Sequence, residues 1–199
     1  ATADWHDEER VNWGLKVSPF YTYVFDYINA VPNTSTNPYY NNGYGRKSLT
    51  FANHDAHLYG LNLSANKSLG SLGGSWGSRA VISYVRGKDE DGSNLYNIMP
   101  LNGKFYLDHK DGSWSNTLEL IVVANKDRVD AVRDEQKTSG YSLLNFRTAY
   151  RFNNSFRVDA GIDNIFDKNY AYPLGGLDYL KTVETDPTMM GMNRPILVN

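Results

Sequence analysis

The sequence predicts an all-β chain, an antiparallel transmembrane β-barrel with about eight strands visible, and three observations lead there. Apolar and polar residues alternate along successive segments, which gives each segment one face of either kind. The connections alternate between long and tight, which collects the long loops at one end of the sheet. No run of about 18 apolar residues occurs, so no helix is long and apolar enough to cross a bilayer, whereas barrel strands need apolar side chains only at every second position.

Strands are expected over Val11–Tyr27, Phe51–Lys67, Ser78–Gly87, Leu101–His109, Trp114–Lys126, Tyr141–Phe152, Ser155–Ile165 and Pro195–Asn199. In the first, Trp13, Leu15, Val17, Tyr21, Tyr23 and Phe25 oppose Asn12, Lys16, Ser18 and Thr22. In the second, Tyr59, Leu61, Leu63 and Ala65 oppose Asn62, Ser64 and Asn66, and in the fifth Leu118, Leu120, Val122 and Ala124 oppose Thr117, Glu119 and Asn125. The sixth and seventh read as a hairpin. Leu144, Phe146, Tyr150 and Phe152 lead into Asn153-Asn154, whose residues accept positive φ, and Phe156, Val158, Ala160 and Ile162 lead out. The other face of this hairpin carries Asn145, Arg147, Arg151, Arg157, Asp159 and Asp163, which require water or partners. Long loops fall at Ile28–Thr50, Lys88–Pro100, Asp127–Gly140 and Phe166–Arg194, tight ones at Lys110–Ser113 and Asn153–Asn154, and Ser68–Gly77 is intermediate. Tyrosines near strand ends, among them Tyr21, Tyr59, Tyr84 and Tyr150, fit interfacial girdles.

Composition agrees with many strands and turns: 14% aromatic, 15 Tyr and 17 Gly. The lack of cysteine removes disulfide frameworks and thiolate metal sites. A net charge of −2 and a pI near 6.1 give no basic footprint, so nucleic acid is not an expected partner.

The stretch Ala160–Tyr170 reads Ala-Gly-Ile-Asp-Asn-Ile-Phe-Asp-Lys-Asn-Tyr. Gly161, Asn164, Phe166, Asp167, Lys168 and Tyr170 fit a Gly-x-x-Asn-Leu-Phe-Asp-Lys-x-Tyr pattern in which Ile165 replaces leucine. The segment resembles the one before the last long loop of TonB-dependent outer-membrane receptors. Ala56, Leu58 and Gly60 are similar to that family's Ala-x-Leu-x-Gly-x-Glu strand, with Asn62 at the place of the acidic residue. Ile98-Met-Pro-Leu-Asn-Gly-Lys-Phe and Thr138-Ser-Gly-Tyr141 resemble two further strand entries, in family order.

The resemblance implies that residues 1–199 form the C-terminal β-barrel region of such a receptor. The family's full barrel has about 22 strands and follows a plug domain and an energy-coupling box, neither of which is seen in these residues. It implies TonB-dependent active import of a metal chelate across the Gram-negative outer membrane, a ferric siderophore ahead of copper or another metal complex. The partners implied are that ligand, outer-membrane lipid and the TonB complex acting through the plug. Three other readings stay open from the residues themselves. Eight strands can close into a small barrel filled by Glu119, Arg147, Arg151, Arg157 and Asp159 as pairs. A soluble secreted carbohydrate-binding β domain would alternate in the same way, and a barrel enzyme could carry its groups at the rim.

No catalytic constellation is present: Cys is absent, no Gly-x-Ser-x-Gly elbow or phosphate-binding glycine loop occurs, and no cofactor is called for. His54 and His57 stand three apart, which puts them on opposite faces of a strand and reads as a polar rim. Met189, Met190 and Met192, with Met99 on another long loop, offer soft thioethers that suit Cu(I) or else fill gaps between loops. Tyr39, Tyr40, Tyr44, Arg46, Tyr170, Tyr172 and Tyr179 offer aromatic faces and a guanidinium suited to an anionic, partly aromatic chelate, or to packing loop on loop. Asp89-Glu90-Asp91-Gly92 lacks the spaced oxygens of a calcium loop and reads as a solvated tip.

Overall fold

Strands with alternating side chains satisfy their backbone only by pairing, and tight turns between them favour pairing in chain order. A computed structural model describes residues 1–33, 49–133, 135–175, 177–178, 194–195 and 197–198, and its strands pair in that way. β1 (Ala3–His6), β2 (Trp13–Pro32), β3 (Leu49–Gly70), β4 (Ser75–Asp89), β5 (Asn102–Asp111), β6 (Trp114–Val123), β7 (Tyr141–Arg151) and β8 (Arg157–Ile162) form one eight-stranded sheet. Each strand is antiparallel to the next. The sheet is open, with β1 and β8 at its edges, so the small self-closed barrel is corrected. Outside it, β9 (Tyr170–Ala171) pairs with β12 (Leu197–Val198), and β10 (Leu177–Asp178) with β11 (Arg194–Pro195).

The eighth place in the sheet belongs to Ala3–His6 and not to Pro195–Asn199. The signal for β1 lies in its turn. The Asp7 carboxylate accepts the backbone N–H groups of Asn12 and Trp13, both at 3.1 Å, and folds β1 back onto β2. The first expected strand stopped at Tyr27, yet β2 runs on to Pro32. A β-bulge between Val24 and Tyr27, with Asp26 at φ 52°, breaks the alternation without ending the strand.

β2, β4 and β6 end, and β3, β5 and β7 begin, at one end of the sheet, and the shorter connections 7–12, 71–74, 112–113 and 152–156 lie at the other. One face is a continuous apolar surface. Leu107 opposes Leu118, Phe105 opposes Leu120, Phe146 opposes Ile162 and Tyr150 opposes Val158, and most of these side chains are exposed. Water penalises such a face and hydrocarbon does not. Aromatic rings mark its limits. Near the tight turns Trp114 stacks on Tyr150 with centroids 4.7 Å apart, and near the long loops Tyr23 meets His57 at 4.8 Å. From Trp13 to Tyr23 along β2 is roughly 33 Å of strand, and a tilt of about 40° reduces that to about 25 Å, the height of a lipid-facing band. β2 and β3, at 20 and 22 residues, extend well past it toward the long loops.

Candidate functional site

On the opposite face register decides which polar side chains meet. Arg79 on β4 forks onto Asp108 of β5, with Nε at 2.6 Å and Nη2 at 3.0 Å, and lies 4.5 Å over the Tyr106 ring. Thr117 of β6 donates to the same carboxylate at 2.8 Å. Asn145 on β7 donates to Glu119 at 2.7 Å and accepts the Asn164 N–H at 2.8 Å. Arg147 pairs with Asp163, and Arg157 with Asp159. All of these reach from one strand toward its neighbour except Arg157–Asp159, which lies within β8, and the ion pairs stay largely half-exposed, which suits a wetted wall and not a core.

Two motif glycines mark close crossings on this wall. A Cβ at Gly60 would stand 2.8 Å from the Phe20 ring, and one at Gly161 would stand 2.6 Å from Arg147 Cδ. The rest of the Ala160–Tyr170 motif is a turn. Asn164 and Asp167 have φ of 49° and 48°, a region that Asn and Asp tolerate. The Asn164 carboxamide accepts the Lys168 N–H at 2.9 Å and donates to the Lys168 carbonyl at 3.1 Å, standing in for a peptide unit.

At the long-loop end a buried ion pair binds three connections together. Lys126 Nζ lies 2.6 Å from Glu135 Oε1, with side chains 2% and 7% exposed. Lys126 also donates to the Pro173 carbonyl at 2.8 Å, and Glu135 accepts the backbone N–H groups of Asn97 at 2.9 Å and Asp130 at 2.7 Å. Beside the pair, Val123, Tyr141 and Leu143 form a buried cluster against which Met99 and Tyr170 pack. A cleft of about 410 Å³ lies between β4 and these loops, lined by Tyr84, Arg86, Leu95, Ile98, Lys126 and Arg128 among others. Arg128 donates to the Tyr84 hydroxyl at 2.9 Å, so a guanidinium and a phenol are set together at the cleft. This end of the sheet is the candidate site.

Tyr170 and Tyr172 are both there. Tyr170 is half-buried with its ring 4.2 Å from that of Tyr141, while Tyr172 is exposed. Met99 fills a gap against the apolar cluster. Tyr39, Tyr40, Tyr44, Arg46, Tyr179, Met189, Met190 and Met192 lie outside the described residues. His54 and His57 do not meet: His57 Nδ1 is 2.6 Å from the Tyr21 hydroxyl, and His54 Nδ1 is 3.2 Å from Glu90. The solvated tip at Asp89–Gly92 is corrected in part. β4 continues to Asp89, which is 8% exposed and accepts from the Asn29 amide at 2.9 Å, so the tip begins only after it. There the Ser93 N–H holds the Asp91 carboxyl below its usual range. Lys126 and Glu135 had no sequence signal, since charged residues in a long loop ordinarily face water.

The TonB dependent receptor-like β-barrel model matches residues 1–165. No curated protein sequence matches the chain. Among solved structures the chain is similar to the copper transporter OprC, at 26% identity and a TM-score of 0.73, with 88% of this chain and 26% of that one covered. It is also similar to the ferripyoverdine receptor of the outer membrane of Pseudomonas aeruginosa, at 12% identity and a TM-score of 0.60, covering 84% of this chain and 23% of that one. The ferric-catecholate import receptor Fiu of E. coli K12 aligns at 12% identity and a TM-score of 0.55, with 85% and 24% covered. The chain thus spans about a quarter of the length of the structures it matches, and the 12% likenesses show the fold alone. With most of the sequence inside the family match, the sheet, its loop arrangement and the Asn164 turn have one assignment: this chain belongs to the TonB-dependent receptor β-barrel family.

Proposed function

We propose that the chain forms part of the wall and mouth of a receptor that imports a metal complex across the Gram-negative outer membrane. In this reading the apolar face meets lipid, the ladder of ion pairs faces the lumen, and the long loops lie outside the cell. Energy would come from the TonB complex acting through the receptor's plug domain. The observation that supports the reading is the family match over residues 1–165. No enzymatic step is needed.

A ferric siderophore is the first ligand. Arg86 and Arg128 at the cleft, with Tyr84 and the exposed Tyr172, offer the cationic and aromatic contacts that an anionic, partly aromatic chelate requires. Copper is the second, and one observation favours it, the 26% identity with a copper transporter. Its ligands would be Met189, Met190 and Met192. Uptake of labelled ferric siderophore and of labelled copper, by cells carrying or lacking the full receptor, tests both. Changing Tyr44, Arg46 or Tyr172 to Ala should lower siderophore uptake, whereas the triple Met→Leu variant should lower copper uptake at nearly unchanged volume. Receptor-dependent uptake of neither, with energy coupling intact, would overturn the reading.

A further inference from the structure

We propose that His54, Asp89 and Glu90 form a binding site for a divalent transition-metal ion of the zinc class at the long-loop end of β3 and β4. The site stands apart from the import reading, because it requires only these strands and no transported ligand. Each of the three residues offers one ligand atom, and the three atoms lie within 4.8 Å of one another. Ligands held about 2.0–2.2 Å from one ion stand roughly 3.5 Å apart in a tetrahedron, so side-chain movement of about 1 Å closes the set and leaves a fourth position open.

One observation beside the spacing of the ligand atoms points to a cation and not merely to an acidic surface. Nδ1 of His54, 3.2 Å from Glu90 Oε1, is the ring nitrogen that faces the carboxylates. Asp89, for its part, is buried, and its oxygens receive only neutral donors among the described residues. These are the Asn29 amide at 2.9 Å and the Glu90 N–H at 2.8 Å. A buried carboxylate with a second carboxylate beside it calls for a positive charge. The adjacent Lys88 ammonium does not supply it, since it donates to the Gly92 carbonyl.

The scaffold is fixed by backbone. Glu90 N–H donates to the Asp55 carbonyl at 2.9 Å, Asp89 N–H to the Ser93 carbonyl at 2.9 Å, and Gly92 N–H to the Asp89 carbonyl at 2.9 Å. His54 opposes Tyr27 immediately after the β2 bulge, which puts Asn29 on the same side. Asn29 is thus a positioning residue that orients the Asp89 carboxylate. One imidazole with two carboxylates suits Zn²⁺ and its borderline neighbours. Ca²⁺ takes oxygen alone, and Cu(I) prefers thioethers.

The full receptor that contains these residues, purified in detergent and stripped with chelator, is titrated with Zn²⁺ and separately with Ca²⁺ by calorimetry. One equivalent of Zn²⁺ should bind about tenfold or more tighter than Ca²⁺. Glu90→Gln and His54→Gln should each weaken zinc at least tenfold, and the double variant should lose one equivalent. Asn29→Ala should weaken it less, and Asp127→Asn should leave it unchanged. Heat-modifiable migration in gels checks that each variant folds, and the exposed Glu90 gives a variant that spares the sheet. Zinc binding undiminished in the double variant, Ca²⁺ binding as tight as zinc, or no zinc bound up to millimolar would overturn the proposal. Loss of uptake is read separately and has no bearing on it.

Discussion

Lys126→Met should loosen three connections at once while leaving the sheet intact. The change keeps most of the side-chain stem and removes the ammonium. Glu135, at 7% side-chain exposure, then retains only the Asn97 and Asp130 N–H donors among those described, and the Pro173 carbonyl loses its donor. Removing one partner of a buried pair costs about 3–5 kcal/mol, because the other charge stays buried. The loops can open without unpairing β5, β6 and β7, so the cost appears as local opening. At about 1.4 kcal/mol per tenfold, protection of the Asn97 and Asp130 amides should fall roughly 150-fold to 4,000-fold. Hydrogen exchange resolved to these amides measures it, with Leu107 and Leu118 in the ladder as unchanged references. The double variant Lys126→Met with Glu135→Met should recover part of the loss, since it removes the stranded charge. Protection at Asn97 and Asp130 within a few-fold of wild type in the single variant would refute the reasoning, and so would an equal loss in the sheet.

Three further outcomes are expected. Val158→Arg, on the apolar face, should cost about 2–4 kcal/mol of unfolding free energy in lipid vesicles, while Asp159→Asn on the neighbouring residue costs less; equal costs would remove the lipid assignment of the two faces. Asn164→Ala should destabilise by about 2–4 kcal/mol, from two lost hydrogen bonds and a left-handed φ. Asn164→Gly should cost about 1 kcal/mol less than the alanine, since glycine accepts that φ, and an alanine variant no worse than the glycine would show the turn to be incidental. Asp7, in a turn outside the membrane-facing band, has its carboxyl lowered to about 2 by the N–H of Trp13 first and by those of Asn12 and Val11. A depressed folded value means that its contribution is complete above the unfolded value of 3.8 and is lost as pH falls from about 4 to about 2. A carboxyl titration followed by carbon NMR should have its midpoint near 2, and a midpoint near 3.8 would contradict the turn geometry.

Much of the sheet was legible because its period is local. Leu118, Leu120 and Val122 announce β6 without reference to any other strand, and the loop lengths then order the strands. β1 was missed because four residues give too few alternations, and its evidence is a carboxylate that reaches Asn12 and Trp13. The extent of β2 was missed because a bulge looks like an end in one dimension. The candidate site was less legible, for a different reason. Lys126 and Glu135 are nine residues apart in a loop of ordinary polar composition. What buries them is Pro173 and Asn97 arriving from other loops, and no spacing records that. His54 and Asp89 likewise come together only through the β3–β4 register, in which Asp89 opposes Ala56. His54 and His57 lie on opposite faces of β3, and His54 meets Glu90 while His57 meets Tyr21.

The charge pattern of the two regions separates wall from mouth. On the wall, Arg79–Asp108, Arg147–Asp163 and Arg157–Asp159 are half-exposed, so each pair contributes little to stability and its members can exchange partners with water or a neighbouring surface. At the mouth, Lys126–Glu135 is buried and its hydrogen bonds go to backbone, which costs more to break than it contributes when formed. A buried pair of that kind specifies one arrangement of the loops and penalises the others. Leu95 enforces the same arrangement from the apolar side: it is the largest fully buried side chain among the described residues, and it lies where a Cβ on Gly87 would stand 2.9 Å away. The described connections at this end of the sheet are therefore held in one arrangement by a buried ion pair and a buried leucine together.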